Sequence, residues 1–454
     1  MTYTPAKETT GPGARGAGRY LTPLLWPVAI LVIVHRTAFY ASNDHTTDDF
    51  TTVFTAVWRF LDGERVYNQD YQSVTPHYLY SPGGTLALSP LLGWSDDVDT
   101  VRWAFLALQA VAILAAIVLL LRWVGVPWRH WLYPGAVAAA FATEAVSNTI
   151  AFTNVNGLIL LAEAAFLILL HRRREVMACL VLGLAITVKP IVAPLLFLPF
   201  VRRRFGAVAA GLAVPVAFNV VAWPLMMAPK EYLTLTVPYI GIVRDYANAS
   251  LAGQGTYFGV PDPWVHMWRA IIALAVIVGL ILLLRWVDRD EILWLTTTAG
   301  LLVAGVFLLG SLGQMYYTML LFPLLASAVR PFMGAVDPDG LPVRSAALAW
   351  PVILGLVLCF WFTSFTTSAF PTGSRWFEVG RGTIGWLLIV LSITGCAMKW
   401  TIDDVARGLP VHPALPAGAV PGFGGARRTA GRSAGRTGRT GRTAASRARR
   451  RYDR

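Results

Sequence analysis

Apolar runs of membrane-spanning length recur along this chain, and short polar breaks between them carry most of the charge. A bilayer core takes about 20 helical residues to cross. Runs of this kind fall near 21–40, 100–122, 132–151, 156–171, 206–227, 264–286, 292–310, 314–330, 346–369 and 382–399. One stretch resists that division. His171-Arg172-Arg173-Arg174 and Arg202-Arg203-Arg204 bracket 27 residues. A single crossing would put one Arg triplet on the outer side, against the positive-inside rule, and two full crossings need about 40 residues. Two half-helices meeting at Lys189-Pro190 resolve the conflict. Proline breaks the helix there, and broken helices at membrane depth are tolerated where they line protein or a cavity. Lys189 is then expected at the apex, facing an extracytoplasmic cavity. A second short segment, Thr85 to Trp94, follows the turn Ser81-Pro82-Gly83-Gly84 and suits a re-entrant helix lying at the interface. The pattern predicts an all-α polytopic membrane bundle of about 10–12 membrane helices, short re-entrant and half-helices included.

Composition sharpens this picture. Charged residues make up 14% of the chain, against about 25% in soluble domains. The net charge of +13 is concentrated at one end, because from Ala426 onward there are eleven Arg and one Asp. The expected organisation is a disordered cytoplasmic leader over 1–19, a catalytic membrane bundle over 20–404 whose outer loop 42–99 holds the chemistry, and a disordered basic cytoplasmic tail over 405–454. The tail suits the anionic inner leaflet, and it lacks the aromatics that stack on nucleic-acid bases. Arg122, Arg129, both triplets, Arg285, Arg289, Arg330 and Arg344 agree with one orientation, in which both termini are cytoplasmic and the 42–82, 229–262 and 370–381 loops lie outside. Cys179, Cys359 and Cys396 lie in apolar runs and read as small buried hydrophobes. The N-terminus carries no cleavable signal pattern.

The candidate chemistry clusters on the outer side. Asp44, Asp48 and Asp49 follow the first run. Asp is a good helix N-cap, which accounts for one of the three. Adjacent carboxylates at the mouth of a bundle suit a general base. His77 reads as a proton relay, a phosphate contact or a satisfied loop histidine. Glu144 and Glu163 lie inside apolar runs, where carboxylates are functional candidates. Asn154 and Asn156 form a turn beside Glu144 and could bind sugar hydroxyls or serve only turn chemistry. Lys189 requires an anionic partner or a wet cavity, or snorkels to the surface. Arg244 could clamp a phosphate or pair with Asp245. Gln314, Tyr316 and Tyr317 offer stacking and hydrogen bonds, or anchor a helix at the interface. The chain shows no metal-binding motif, no phosphate-cradling loop and no soluble nucleotide-binding domain. Any glycosyl donor it uses is therefore expected to be lipid-linked.

These residues resemble glycosyltransferase family 87, the actinobacterial polyprenyl-phosphate-sugar-dependent enzymes of the GT-C class. The resemblance rests on Thr47-Asp48-Asp49-Phe50, Leu61-Asp62-Gly63 with Tyr67, Pro76-His77-Tyr78-Leu79-Tyr80 with Pro82-Gly83-Gly84-Thr85, Phe141-Ala142-Thr143-Glu144, and Phe152-Thr153-Asn154-Val155-Asn156-Gly157. Val188-Lys189-Pro190, Arg244-Asp245-Tyr246, Tyr257-Phe258-Gly259 and Tyr316-Tyr317 complete it, so that it runs from about residue 25 to 400. Ser81 stands where the pattern has Pro. Within the family the likeness is strongest to members that branch mycobacterial arabinans. It implies an inverting enzyme with decaprenyl-phosphoryl-arabinose as donor and a linear α-(1→5)-arabinan as acceptor, which receives an α-(1→3) branch in arabinogalactan or lipoarabinomannan. It places Asp49 as general base and Asp48 as its orienting neighbour. Lys189, Arg244 and His77 are expected at the donor phosphate, and Glu144, Asn154, Asn156, Asp245, Gln314, Tyr316 and Tyr317 on acceptor sugars. No cofactor is implied, and the residues leave a divalent cation open. The competing readings are a polyprenyl-phosphate-mannose-dependent α-mannosyltransferase, a lipid-linked glycan transporter, and a membrane partner acting through its tail.

Overall fold

The computed structural model describes residues 12–42, 48–71, 77–338, 340–362, 364 and 367–408, with backbone alone for 12–19 and 48. Residues 1–11 of the expected leader, Asp44, the Asp48 side chain and the tail from 409 lie outside the described residues. Among the described residues the chain is helix and loop, with two isolated bridges and no strand. Six helices among the described residues are long and apolar enough to cross a membrane, and five shorter apolar helices accompany them there, a number within the range the hydrophobic pattern predicts.

The first helix, α1 (Pro12–Val34), continues as a π-helical turn to Tyr40. It begins at Pro12, so residues 12–19 are helical and not part of an irregular leader; proline is well placed at a helix start. Helix α2 (Asp48–Leu61) sits in the first polar loop. Its Phe50, Phe54 and Val57 recur at helical spacing and are buried, with Phe50 meeting Phe105 of the following long helix at a ring-centroid distance of 6.0 Å. Helix α3 (Pro82–Leu92) is a short helix where the pattern predicts a segment Thr85 to Trp94, beginning three residues earlier and ending two earlier. Ser81 caps it, accepting the Gly84 N–H at 3.2 Å, a role that the pattern's Pro could not fill. Gly83 seats α3 on Asn219, where a Cβ would meet Nδ2 at 2.7 Å.

Helix α4 (Val98–Trp123) is a full crossing. The expected run 132–151 is instead two helices, α5 (Leu132–Ala142) and α6 (Glu144–Ala151), because Thr143 leaves helical geometry and caps α6. Helix α7 (Asn156–His171) follows a turn in which Thr153 takes φ +52°. Helix α8 (Glu175–Val188) then stops at Lys189, and a 3₁₀ helix (Pro190–Leu196) and α9 (Phe197–Val201) return. The half-helix expectation holds, with a refinement. A 3₁₀ helix rises about 2.0 Å per residue and an α-helix about 1.5 Å, so the 12-residue return arm and the 14-residue α8 both span about 21 Å. Pro190 and Pro194, which lack N–H donors, disfavour a regular α-helix in that arm.

Helix α10 (Phe205–Leu225) crosses beside α3 and α8. A π-turn (Tyr232–Thr236) leads into α11 (Val237–Ile240), and α12 (Leu251–Phe258) precedes the crossings α13 (Asp262–Leu283) and α14 (Glu291–Leu309). The run 314–330 again starts as 3₁₀ (Met315–Leu321), before α15 (Phe322–Ser327) and α16 (Val329–Phe332). Helix α17 (Trp350–Phe360) is far shorter than the 346–369 run suggests. Helix α18 (Pro371–Ala406) is longer than 382–399 and takes residues 405 and 406 from the expected tail. Its 36 residues reach about 54 Å, beyond the roughly 30 Å of a bilayer core. Val216 and Val220 on α10 and Leu274 and Ile281 on α13 are exposed, a surface suited to lipid.

Two ion clusters tie the bundle together at the end where α7 and α18 finish and α14 begins. Glu291 accepts from Arg202 and from Arg173 at 3.2 Å, with His171 Nδ1 at 3.3 Å. Asp404 collects Arg285 at 3.2 Å, Arg289 at 3.0 Å and Arg344 at 2.6 Å, and it is 2% exposed. Removing one member of a buried charge network strands the others, at about 3–5 kcal/mol. Asp404→Ala is therefore expected to lower the melting temperature of the detergent-purified protein by many degrees; an unchanged melt would mean that water serves the three arginines equally well.

Candidate active site

At the opposite end, the N-terminus of α2 meets the turn before α7, the apex at Lys189 and the 3₁₀ start at Met315. The convergence follows from local sequence. Asp49 lies in the first turn of α2, where the helix dipole favours a carboxylate. Asn154 and Asn156 flank the tight turn before α7. Lys189 closes α8 because Pro190 cannot continue it. Gln314, Tyr316 and Tyr317 begin the second 3₁₀ segment.

These side chains form one connected network. Asn154 Nδ2 donates to Asp49 Oδ2 at 2.7 Å. Lys189 Nζ donates to Asn154 Oδ1 at 2.9 Å and to Asn156 Oδ1 at 2.7 Å. Tyr316 donates to the same Asp49 Oδ2 at 3.2 Å, and its oxygen lies against the Gln314 amide. The Lys189 ammonium sits 5.0 Å from the Tyr317 ring centroid and 5.5 Å from that of Tyr316, in cation–π range. Among the described residues no ion pair joins Lys189 to Asp49 directly.

The network opens on a cavity of about 610 Å³, within the size range of small-molecule sites. Asp49, His77, Asn154, Lys189, Arg244, Gln314, Tyr316 and Tyr317 all line it. The fold thus brings to one cavity eight residues that stand out in the sequence. Arg244 is held by Tyr246, donating to its hydroxyl at 3.2 Å. His77 Nε2 lies 2.8 Å from the Asp70 carbonyl. Since a carbonyl only accepts, Nε2 carries a proton. The ring stacks on Tyr71 at 4.9 Å and leans on Tyr239 at 4.5 Å, which agrees best with a packed loop histidine. Burial raises the Tyr71 and Tyr78 hydroxyls above the usual tyrosine range, so both stay neutral: Tyr71 donates to the Tyr78 carbonyl, and Tyr78 and Thr85 share a hydrogen bond.

Residues 78–311 match the sequence profile of glycosyltransferase family 87. The chain is also 41% identical, over 393 residues, to an α-(1→3)-arabinofuranosyltransferase of Corynebacterium glutamicum, covering 86% of this chain and 90% of that relative. It is 38% identical over 391 residues to the α-(1→3)-arabinofuranosyltransferase of Mycolicibacterium smegmatis (85% and 87% covered) and to that of Mycobacterium tuberculosis (84% and 86% covered). The chain belongs to glycosyltransferase family 87. It is a membrane glycosyltransferase with an all-α bundle.

Three expected sugar contacts in this family 87 enzyme do not reach the cavity wall. Glu144 is committed to Arg381, which also donates to Glu378 at 3.2 Å and to the carbonyls of Leu358 and Trp361 at 2.9 and 3.1 Å. Asn156 is fully buried and spends its oxygen on Lys189. Asp245 is absent from the cavity lining, although its neighbours Arg244 and Tyr246 belong to it. Arg381 escaped the sequence reading because its partner lies 237 positions away. Tyr80, Tyr232, Tyr239 and Phe152 also line the cavity. Tyr80 and Phe152 stood within motifs quoted from the sequence, whereas nothing local marked Tyr232 or Tyr239. Glu144→Gln leaves Arg381 buried without its full counter-charge and is expected to destabilise the bundle by about 3 kcal/mol. Arg381→Met in the Glu144→Gln background should recover part of that loss, as measured by thermal melting.

Proposed function

We propose that this enzyme moves arabinofuranose from decaprenyl-phosphoryl-arabinose to the 3-hydroxyl of a linear α-(1→5)-arabinan, making α-(1→3) branches of cell-wall arabinogalactan or lipoarabinomannan. The observation that carries the reading is the identity of 38–41% over most of the chain to relatives named for that linkage. The site suits the chemistry. Asp49 presents a carboxylate to a cavity also lined by Lys189 and Arg244, so a base and two cations face one volume. The acceptor oxygen attacks the anomeric carbon while the bond from that carbon to the phosphate oxygen breaks. The bonding pair leaves with the phosphate, and the hydroxyl proton passes to Asp49. Lys189 and Arg244 offset the charge gathering on the phosphate. The step as written calls on no cofactor.

We also propose that the cavity faces the extracytoplasmic side of the plasma membrane, with both termini in the cytoplasm. Both Arg triplets, Arg285, Arg289 and Arg344 gather at the bundle end opposite Asp49, and basic residues favour the cytoplasmic side. The Arg-rich tail then meets the anionic inner leaflet.

The test is a cell-free membrane assay with radiolabelled decaprenyl-phosphoryl-arabinose and a synthetic linear arabinan, followed by linkage analysis of the product. A 3-linked arabinofuranosyl branch is expected. Consumption of polyprenyl-phosphate-mannose instead would replace the sugar assignment, and movement of lipid-linked glycan with no new glycosidic bond would replace the reaction.

A further inference from the structure

The two hydrogen bonds to Asp49 both fall on Oδ2, one from Asn154 and one from Tyr316. Oδ1 has no partner among the described residues and stays accessible where Asp49 lines the cavity. The Asn154 amide is not free to turn. Lys189 is a pure donor and binds its oxygen at 2.9 Å. The amide nitrogen is therefore the group aimed at Asp49, as the 2.7 Å contact requires. The same amide keeps Lys189 one side chain away from Asp49. A direct ion pair would stabilise the ionised carboxylate and make it a poorer proton acceptor. It would also neutralise the cation that the departing phosphate needs. Asn156 gives Lys189 a second anchor, so the ammonium cannot swing to Asp49 while both amides hold it.

We infer that Asn154 is a positioning residue for the transfer reaction: it turns Oδ1 of Asp49 into the cavity as the proton-accepting oxygen and keeps Lys189 apart from that base. This role differs from the sugar-binding one that the sequence suggested for Asn154, and it rests on the reading of Asp49 as base. In the balanced step, the acceptor O–H proton goes to Oδ1, the acceptor oxygen bonds the anomeric carbon, and the pair from the broken carbon–oxygen bond stays on the phosphate.

The experiment uses the full-length enzyme in membranes with labelled decaprenyl-phosphoryl-arabinose and the synthetic arabinan. Asn154→Ala is expected to lower kcat about 30- to 100-fold, with KM for either substrate changed by no more than about twofold, as befits a group acting on the chemical step alone. In an Asp49→Asn background the same change should have almost no further effect, because there is no base left to position. Asn154→Asp keeps an acceptor for Lys189 but faces Asp49 with a second carboxylate. Its pH–rate profile should show the acid limb displaced by about one unit to higher pH, since like charges favour the protonated carboxylate. A structural defect alone would not move that limb, and thermal melting of each variant monitors such defects separately. Wild-type kcat in Asn154→Ala, a raised acceptor KM with kcat intact, or an equal fractional loss in the Asp49→Asn background would each overturn the inference. If Asp49→Asn retains full activity, the base assignment fails and this inference falls with it. If Asp49→Asn is inactive while Asn154→Ala is normal, the positioning role alone is wrong.

Discussion

Asp49→Asn should reduce arabinosyl transfer about a thousandfold while leaving the bundle folded. The substitution keeps the shape of the side chain and removes its capacity to accept a proton at the working pH. Positioned general bases contribute about 10²–10⁴-fold, and the acceptor alcohol here has no other carboxylate on the cavity wall among the described residues. An Asn in this place can still receive the Tyr316 hydroxyl through its oxygen, but it cannot take the acceptor's proton. Melting temperature and membrane yield should match wild type, because Asp49 is only partly buried and forms no ion pair among the described residues. The decisive number is the initial rate at saturating donor and acceptor. A variant within tenfold of wild type would remove Asp49 from the chemistry.

Lys189→Met should be the second most damaging change, with transfer about 10²–10³-fold slower, the size seen when one preorganised electrostatic donor is lost. Methionine preserves most of the length and the contact with Tyr316 and Tyr317, so the packing of the apex survives. The charge does not. Asn154 and Asn156 lose their shared donor, and the cavity loses one of the two cations, Lys189 and Arg244, that line it. The loss should fall on kcat and on donor use, with acceptor KM nearly constant. Competition by polyprenyl phosphate gives a second measure, since the inhibition constant for the free phosphate should rise in Lys189→Met. Equal weakening of donor and acceptor would instead assign Lys189 to holding the Asn154–Asn156 turn.

Much of this site was legible in the sequence. Asp49, Lys189, Asn154 and the Tyr316–Tyr317 pair stood out because each is costly or conspicuous where it lies: a carboxylate beside a membrane exit, a cation between apolar half-helices, polar turns at the ends of spans. What those signals lacked was pairing. Glu144, an acid inside an apolar run, is as conspicuous in the sequence as Asp49, yet it is spent on Arg381. Asn156 looks much like Asn154 in the sequence and binds the same Lys189, but two residues further along the turn it is fully buried and misses the cavity lining. Asp245 adjoins a cavity residue and still misses the cavity. Chain neighbours on a turn diverge by large angles, so proximity in sequence cannot say which one reaches a shared volume.

The chain's own pattern determined the class of fold, the apex at Lys189 and the short helix after Ser81, because those follow from the length of apolar runs, the missing N–H of proline and the expense of charge in lipid, all of which are local. Tertiary structure decided that the 315–321 segment coils as 3₁₀, that one long run splits at Thr143, and that one carboxylate faces the cavity while another is neutralised. The physical reason is that a hydrogen bond or ion pair is defined by two groups. In this bundle the partner lies 105 positions from Asp49 and 237 from Glu144, a distance that no local rule spans.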